Sequence, residues 1–337
     1  MNLKKTITIV SVVLIAALLI YGIKLYGDIF SKNTKFTENE LYVHIPTDAN
    51  YEEVKMIITP YIDNMEKFEM VASKRSYIQN VKSGRFLFKK GMNNFELITA
   101  LRNNIPVKLA FNNQERIENV VGRVSSQIEA DSVSLIKIFK DSTFLKENGF
   151  TEDNVISICI PNTYEFYWNT KADKFRDKMI KEYRKFWNTE RTSQAQKLGL
   201  TPVQVMTLAS IVHKETVKKD ERPRVAGVYL NRLRLGMLLQ ADPTVVFARG
   251  RAGRVLNRDT KIESPYNTYL YSGLPIGALC IPSLNAIDSC LFGAQYPYVY
   301  FCAKSDLTPQ HDFAITLDEH NKNAQRFHRA LNALKKK

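Results

Sequence analysis

Glu215 is the residue in this 337-residue chain most suited to chemistry, because of what surrounds it. Leu208 and Ile211 precede it at helical spacing, so the stripe expected to face a core ends in a carboxylic acid. Burial disfavours a carboxylate and raises its pKa, and a glutamic acid tuned toward neutrality can give and retake a proton at ordinary pH. The competing reading is an ion pair, with Arg222, Arg224 or Arg232 as partner. Ser210 and His213 are three residues apart but have no nucleophile elbow and no third orienting group. His213-Lys214-Glu215 matches the start of a zinc-deaminase signature, and the P-C-x-x-C it requires is missing. With no H-E-x-x-H and no P-loop, the sequence implies neither metal nor cofactor.

The helix that must carry this acid is well marked. Thr201 is a cap, Pro202 suits the first turn and Gln204 completes a capping box. A second helix is expected over 222–235, stopped by Gly236. Asp242-Pro243 reads as the start of another, with Asp242 as its cap. Further helices are expected at 51–59, 94–102, 116–126, 132–140, 171–187, 283–292 and 318–334, and strands at 41–46, 85–88, 107–111 and 298–304.

At the N-terminus, Thr6 to Ile23 are 18 residues without a charge. As a helix they span about 27 Å, nearly the hydrocarbon thickness of a bilayer. No small-residue cleavage site follows, which favours an uncleaved anchor over a signal peptide. Lys4 and Lys5 before the span place a short tail in the cytoplasm and the bulk of the chain outside it. The expected division is a cytoplasmic tail (1–5), an anchor (6–24), a polar linker (25–40), a small domain (41–106) and a larger domain (107–337), which the family resemblance given below implies is the catalytic one. The fold class is therefore α+β, a transmembrane helix followed by a small α+β domain and a larger mixed α/β one.

The net charge of +14 comes from 48 Lys and Arg against 34 Asp and Glu. These cations are scattered, without zinc-finger spacing, an RNP-like block or a basic stripe, so nucleic acid is not the expected partner. An anionic wall or membrane surface suits an exported basic protein better. The cysteines Cys159, Cys280, Cys290 and Cys302 have apolar neighbours and read as buried thiols, with a Cys280–Cys290 bridge as the alternative.

The ordered series Leu208-Ala209-Ser210-Ile211-Val212, Lys214-Glu215-Thr216, Glu221-Arg222, Val225-Ala226, Asn231-Arg232-Leu233, Gly236-Met237, Leu239-Gln240 and Asp242-Pro243-Thr244-Val245 resembles the YceG-like (MltG) endolytic murein transglycosylases. Later blocks continue it: Ser264 to Tyr269, Gly273-Leu274-Pro275 with Gly277, Ile281-Pro282-Ser283, Tyr298, Tyr300-Phe301, His311 with Phe313, and Glu319-His320-Asn321. The chain departs from the pattern at His213, where a second Glu is usual, and at Asn162, where Asp is usual.

The resemblance implies that Glu215 is the acid/base of a lytic transglycosylase, which cleaves the MurNAc–GlcNAc bond without water and leaves 1,6-anhydroMurNAc. It implies a LysM-like small domain, peptidoglycan strands as substrate, residence in the cell membrane with the catalytic domain outside the cytoplasm, and a role with peptidoglycan synthases in ending nascent strands. Gln240, Asp242, Tyr266, Asn267 and Tyr269 are the candidate cleft residues, because amides and phenols hydrogen-bond sugars and aromatic faces stack on them. Asp242 also fits a helix cap, and Asn267 a turn beside Pro265. His311 and His320 are expected to be structural hydrogen-bond partners. Two other classes stay open: a glycan hydrolase with Asp242 or Glu263 as second carboxylate, and a wall-binding scaffold without catalysis.

Overall fold

The computed structural model describes residues 3–335, and the chain falls into two compact units. The first comprises 1–108 with the returning segments 127–129 and 165–170. It begins with α1 (Leu3–Phe30), whose stretch from Lys5 to Phe30 is long and apolar enough to cross a membrane; its last turn packs on the unit through Ile29 and Phe30. The expected tail, 1–5, lies partly outside the described residues.

Next come β1 (Glu40–Ile45), α2 (Tyr51–Ile58), α3 (Met65–Lys74), β2 (Gly84–Lys89) and α4 (Asn94–Ala100). β1 and β2 pair antiparallel from Glu40↔Lys89 to Ile45↔Gly84. Their inward residues Val43, Ile45, Phe86 and Phe88 join Val54, Ile58, Phe68, Val71, Leu97 and Ile98 in one core. Asn50 and Asn93 start α2 and α4 with full capping boxes.

The expected polar linker over 25–40 is corrected at both ends. The helix runs on to Phe30, and Asp28 pairs with Lys67 at 3.0 Å. Asn33 is 3% exposed and donates to Asn94 Oδ1 (2.6 Å) and Asn64 O (2.8 Å), while Asn94 donates to Asp28 O (2.7 Å). Polar residues 31–36 therefore belong to the unit through buried amides, which composition alone cannot distinguish from a solvated linker.

The second unit is mostly helical. It includes α5 (Ile117–Ser125), α6 (Ser132–Phe139), α7 (Ser142–Asn148), α8 (Ala172–Phe186), α9 (Thr189–Lys197), α10 (Pro202–Glu215), α11 (Arg222–Arg234), α12 (Asp242–Arg249), α13 (Leu284–Phe292) and α14 (Leu317–Lys335). Strands β3 (Val107–Ala110) and β4 (Thr163–Phe166) pair, as do β5 (Tyr300–Ala303) and β6 (His311–Ala314), the latter antiparallel. The larger unit mixes helices and strands as expected, and no sheet among the described residues exceeds two strands.

The Thr201–Gln204 capping box and Pro202 start α10 as its sequence directs. From Val205 to Val212 every residue of α10 is buried, against α11, α12 and α13. The helix is thus central and buried all round over 205–212, not striped on one face, and its last residue is Glu215. All four cysteines are free, so the Cys280–Cys290 bridge does not form.

Candidate active site

Glu215 is half-buried at the C-terminal end of α10 and lines a pocket of about 480 Å³. Tyr229 on α11 is 1% exposed and donates its hydroxyl to Glu215 Oε1 at 2.5 Å. Its ring packs edge-on against Phe301 with centroids 5.8 Å apart. Desolvation is the main force on the Glu215 acid and pushes it up to about 7, with the Asp242 charge acting the same way. The Tyr229 hydrogen bond and the Arg232 charge oppose this. A helix C-terminus also disfavours an anion. Burial holds the Tyr229 phenol well above its ordinary value, so it stays a donor. One carboxyl oxygen is thereby fixed, and Oε2, without a hydrogen bond among the described residues, is left to carry the proton.

The arginine-pair reading of Glu215 does not hold, because the three arginines are engaged elsewhere. Arg222 donates to Ser283 Oγ (2.8 Å) and Asn285 Oδ1 (3.0 Å). Arg224 lies 4.0 Å from Glu221. Arg232 donates to the backbone carbonyls of Val299 and Leu239, both at 2.7 Å.

His213 is two residues from Glu215 and so faces another side of the helix. Its Nδ1 sits 3.2 Å from Ser283 Oγ, and burial followed by the Arg222 charge lowers it to about 4, which keeps the ring neutral. Ser210 is fully buried, donating to Thr207 O (2.7 Å) and accepting from Leu279 N (2.9 Å), so it is no nucleophile. His311 ties β6 to the buried Glu221 through its backbone N–H (2.9 Å) and ring Nδ1 (3.1 Å).

The five expected cleft residues are placed differently from one another. Asp242 lines the pocket with Glu215. Its side chain caps nothing, since α12 begins at Asp242 with Ala241 as cap; instead it accepts from Tyr269 Oη at 2.6 Å. Tyr269 thus reaches the site through Asp242. Tyr266 stands behind the pocket-lining Phe247, with ring centroids 4.6 Å apart.

Gln240 is exposed at a left-handed φ of 50° and lies outside the pocket lining. Its backbone N–H donates to Thr268 O at 3.0 Å, so this position shapes the turn into α12. Asn267 is corrected outright. It is fully buried and donates to Thr260 O (3.0 Å) and Ile262 O (2.8 Å) while accepting from Tyr269 N (3.0 Å), which leaves nothing for a ligand. Glu263 is exposed, accepts from Tyr271 and does not line the pocket.

Sequence reasoning missed Tyr229, Phe247, Arg116 and the loop 250–255, all at this site. Tyr229 stands between the matched blocks Val225-Ala226 and Asn231-Arg232-Leu233, but 14 residues from Glu215 and on another helix, so only the packing of α10 on α11 reveals the bond. A larger cavity of about 1420 Å³ lies in the same unit, lined by residues such as Gln204, Asn231 and Tyr296. No Asp, Glu or His lines it, so it offers no proton donor for acid catalysis near neutrality. No group of three or more His, Cys, Asp or Glu suited to a metal occurs among the described residues.

The YceG-like family matches residues 43–326. A Bacillus subtilis protein named endolytic murein transglycosylase is 27% identical over 341 residues, covering 92% of this chain and 91% of its own. A Streptococcus pneumoniae protein of that name is 32% identical over 174 residues, which are 48% of this chain and 30% of the pneumococcal one. A crystal structure of a YceG-like protein from Listeria monocytogenes shares the fold, with a TM-score of 0.57 at 23% identity over 85% of this chain and 99% of the other.

Proposed function

The chain belongs to the YceG-like family, and from that premise we propose that it is an endolytic murein lytic transglycosylase whose single acid/base is Glu215. The names of its relatives support the activity. The observation that carries the residue assignment is a glutamic acid pushed up to about 7 by burial, lining a pocket with one oxygen held by Tyr229.

The chemistry follows from that geometry. Oε2 of protonated Glu215 gives its proton to the glycosidic oxygen as the bond to MurNAc C1 breaks. The MurNAc C6 hydroxyl then closes on C1, and the same oxygen, now a carboxylate, takes the hydroxyl proton. Glu215 returns to its starting state and no water is consumed. A second carboxylate is unnecessary because the nucleophile is tethered to the sugar it attacks. Asp242, held by Tyr269, sits in the pocket to orient sugar hydroxyls and to keep Glu215 protonated.

Two finer readings accompany this one. The first unit is LysM-like and grips GlcNAc-containing strands, supported by its strand–helix–helix–strand order closed by an antiparallel pair. Helix α1 anchors the chain in a membrane, and Lys4 and Lys5 orient the remainder outward.

Digestion of long purified strands by the full chain tests the endolytic reading. Mid-length fragments are expected at the earliest times, and loss of residues 41–106 is expected to slow cutting at low strand concentration. Steady release of single disaccharides would contradict internal cutting, and an undiminished rate would leave the first unit without a glycan role.

A further inference from the structure

The charges lining the Glu215 pocket do not balance. Its acids are Glu115, Glu215 and Asp242, and its bases are Arg116, Lys214, Arg251 and Arg254. Lys214 is spent on Glu115 at 2.6 Å and Glu215 is held protonated up to about pH 7, so the Asp242 charge alone offsets three arginines in the lining. Arg116 stacks over Phe247 at 4.5 Å, and neither it nor Arg254 makes an ion pair among the described residues. Arg251 comes only within 3.9 Å of Asp259, which is already bound to Arg249 at 2.6 Å.

These cations are presented by a fixed frame. Arg249 and Asp259 are each 5% exposed at the side chain. Arg249 donates to the carbonyls of Arg251 (2.9 Å), Gly253 and Arg254 (3.0 Å), and Asp259 accepts from Leu256 N (2.9 Å). Gly253, at a φ of 113°, allows the bend that brings these carbonyls round one guanidinium. The loop is held by its backbone, so the Arg251 and Arg254 side chains, the first 65% exposed, are not needed to build it.

A neutral sugar backbone gives such a surplus nothing to neutralise. Like charges gathered on one cleft repel each other and concentrate a field that draws anions. In murein the anions are the free carboxylates of the peptides carried on the MurNAc lactyl groups. We propose that Arg251 and Arg254, with Arg116, form a subsite for those peptide carboxylates, so that the enzyme selects peptide-bearing strands over stripped ones. This rests on the murein reading above.

The test uses the full chain carrying Glu215→Gln, so that strands are bound without being cut and the outcome is independent of the cleavage chemistry. Affinity is measured by fluorescence polarisation for uncrosslinked strands bearing their peptides and for the same strands after an amidase has removed them. Peptide-bearing strands should bind roughly fivefold tighter at low salt, in the range of two exposed guanidinium–carboxylate contacts. That ratio should fall toward one when Arg251→Gln and Arg254→Gln are added together, and also when sodium chloride is raised in their absence. Equal affinities at low salt, or a preference that survives both substitutions and high salt, would overturn the subsite.

Discussion

Glu215→Gln is expected to lower the cleavage rate at least ~100-fold, the lower range for removing a general acid–base group. Glutamine keeps the size of the side chain and can still accept from Tyr229, but it carries no transferable proton. The substitution should leave a folded protein, and its stability has a definite sign with pH. Desolvation raises the acid's pKa in the folded state from 4.5 to about 7. The folded chain therefore holds this proton more tightly than the unfolded one. The stabilisation that holding provides is complete below the unfolded value and disappears as pH rises through about 7. The glutamine variant never ionises there, so its melting temperature relative to wild type should increase from pH 6 to pH 8. An active variant would remove Glu215 from the mechanism, and an unfolded one would move it from chemistry to structure.

Tyr229→Phe is the second large effect. The ring can keep its edge-on packing against Phe301, while the hydrogen bond to Oε1 is lost. Misdirection of a reacting carboxyl should cost roughly tenfold to a hundredfold in kcat. The pH profile separates this role from simple packing. The Tyr229 hydrogen bond lowers the Glu215 pKa, so its removal should move the high-pH fall in activity to still higher pH. A loss of rate equal at every pH, with the limb unmoved, would make Tyr229 a packing residue only.

Much of the element pattern was legible in the residues. Capping at Thr201 and Gln204 started α10, Gly236 followed the end of α11, and alternating apolar positions marked β1 and β2. Helices α3, α7 and α9 were not read, being short and mostly polar at their starts. Glu215 stood out as the candidate acid because a carboxylate ending an apolar run is costly. Its environment was less legible: Tyr229 and Asp242 join Glu215 from two other helices, and no local pattern encodes helix packing. Asn267 shows the reverse error: it has sugar-binding chemistry, yet its amide is spent on the turn at 260–269. Side-chain type alone does not separate a polar residue that binds from one that builds.

The claim that Glu215 alone moves the proton, with the sugar's own hydroxyl as nucleophile, is tested most directly by wild-type digestion in heavy-oxygen water followed by mass spectrometry of the new ends. Unlabelled 1,6-anhydroMurNAc ends are predicted, with Asp242→Asn producing the same ends more slowly. Reducing MurNAc ends carrying the heavy oxygen, abolished by Asp242→Asn, would contradict the account and make the enzyme a two-carboxylate hydrolase.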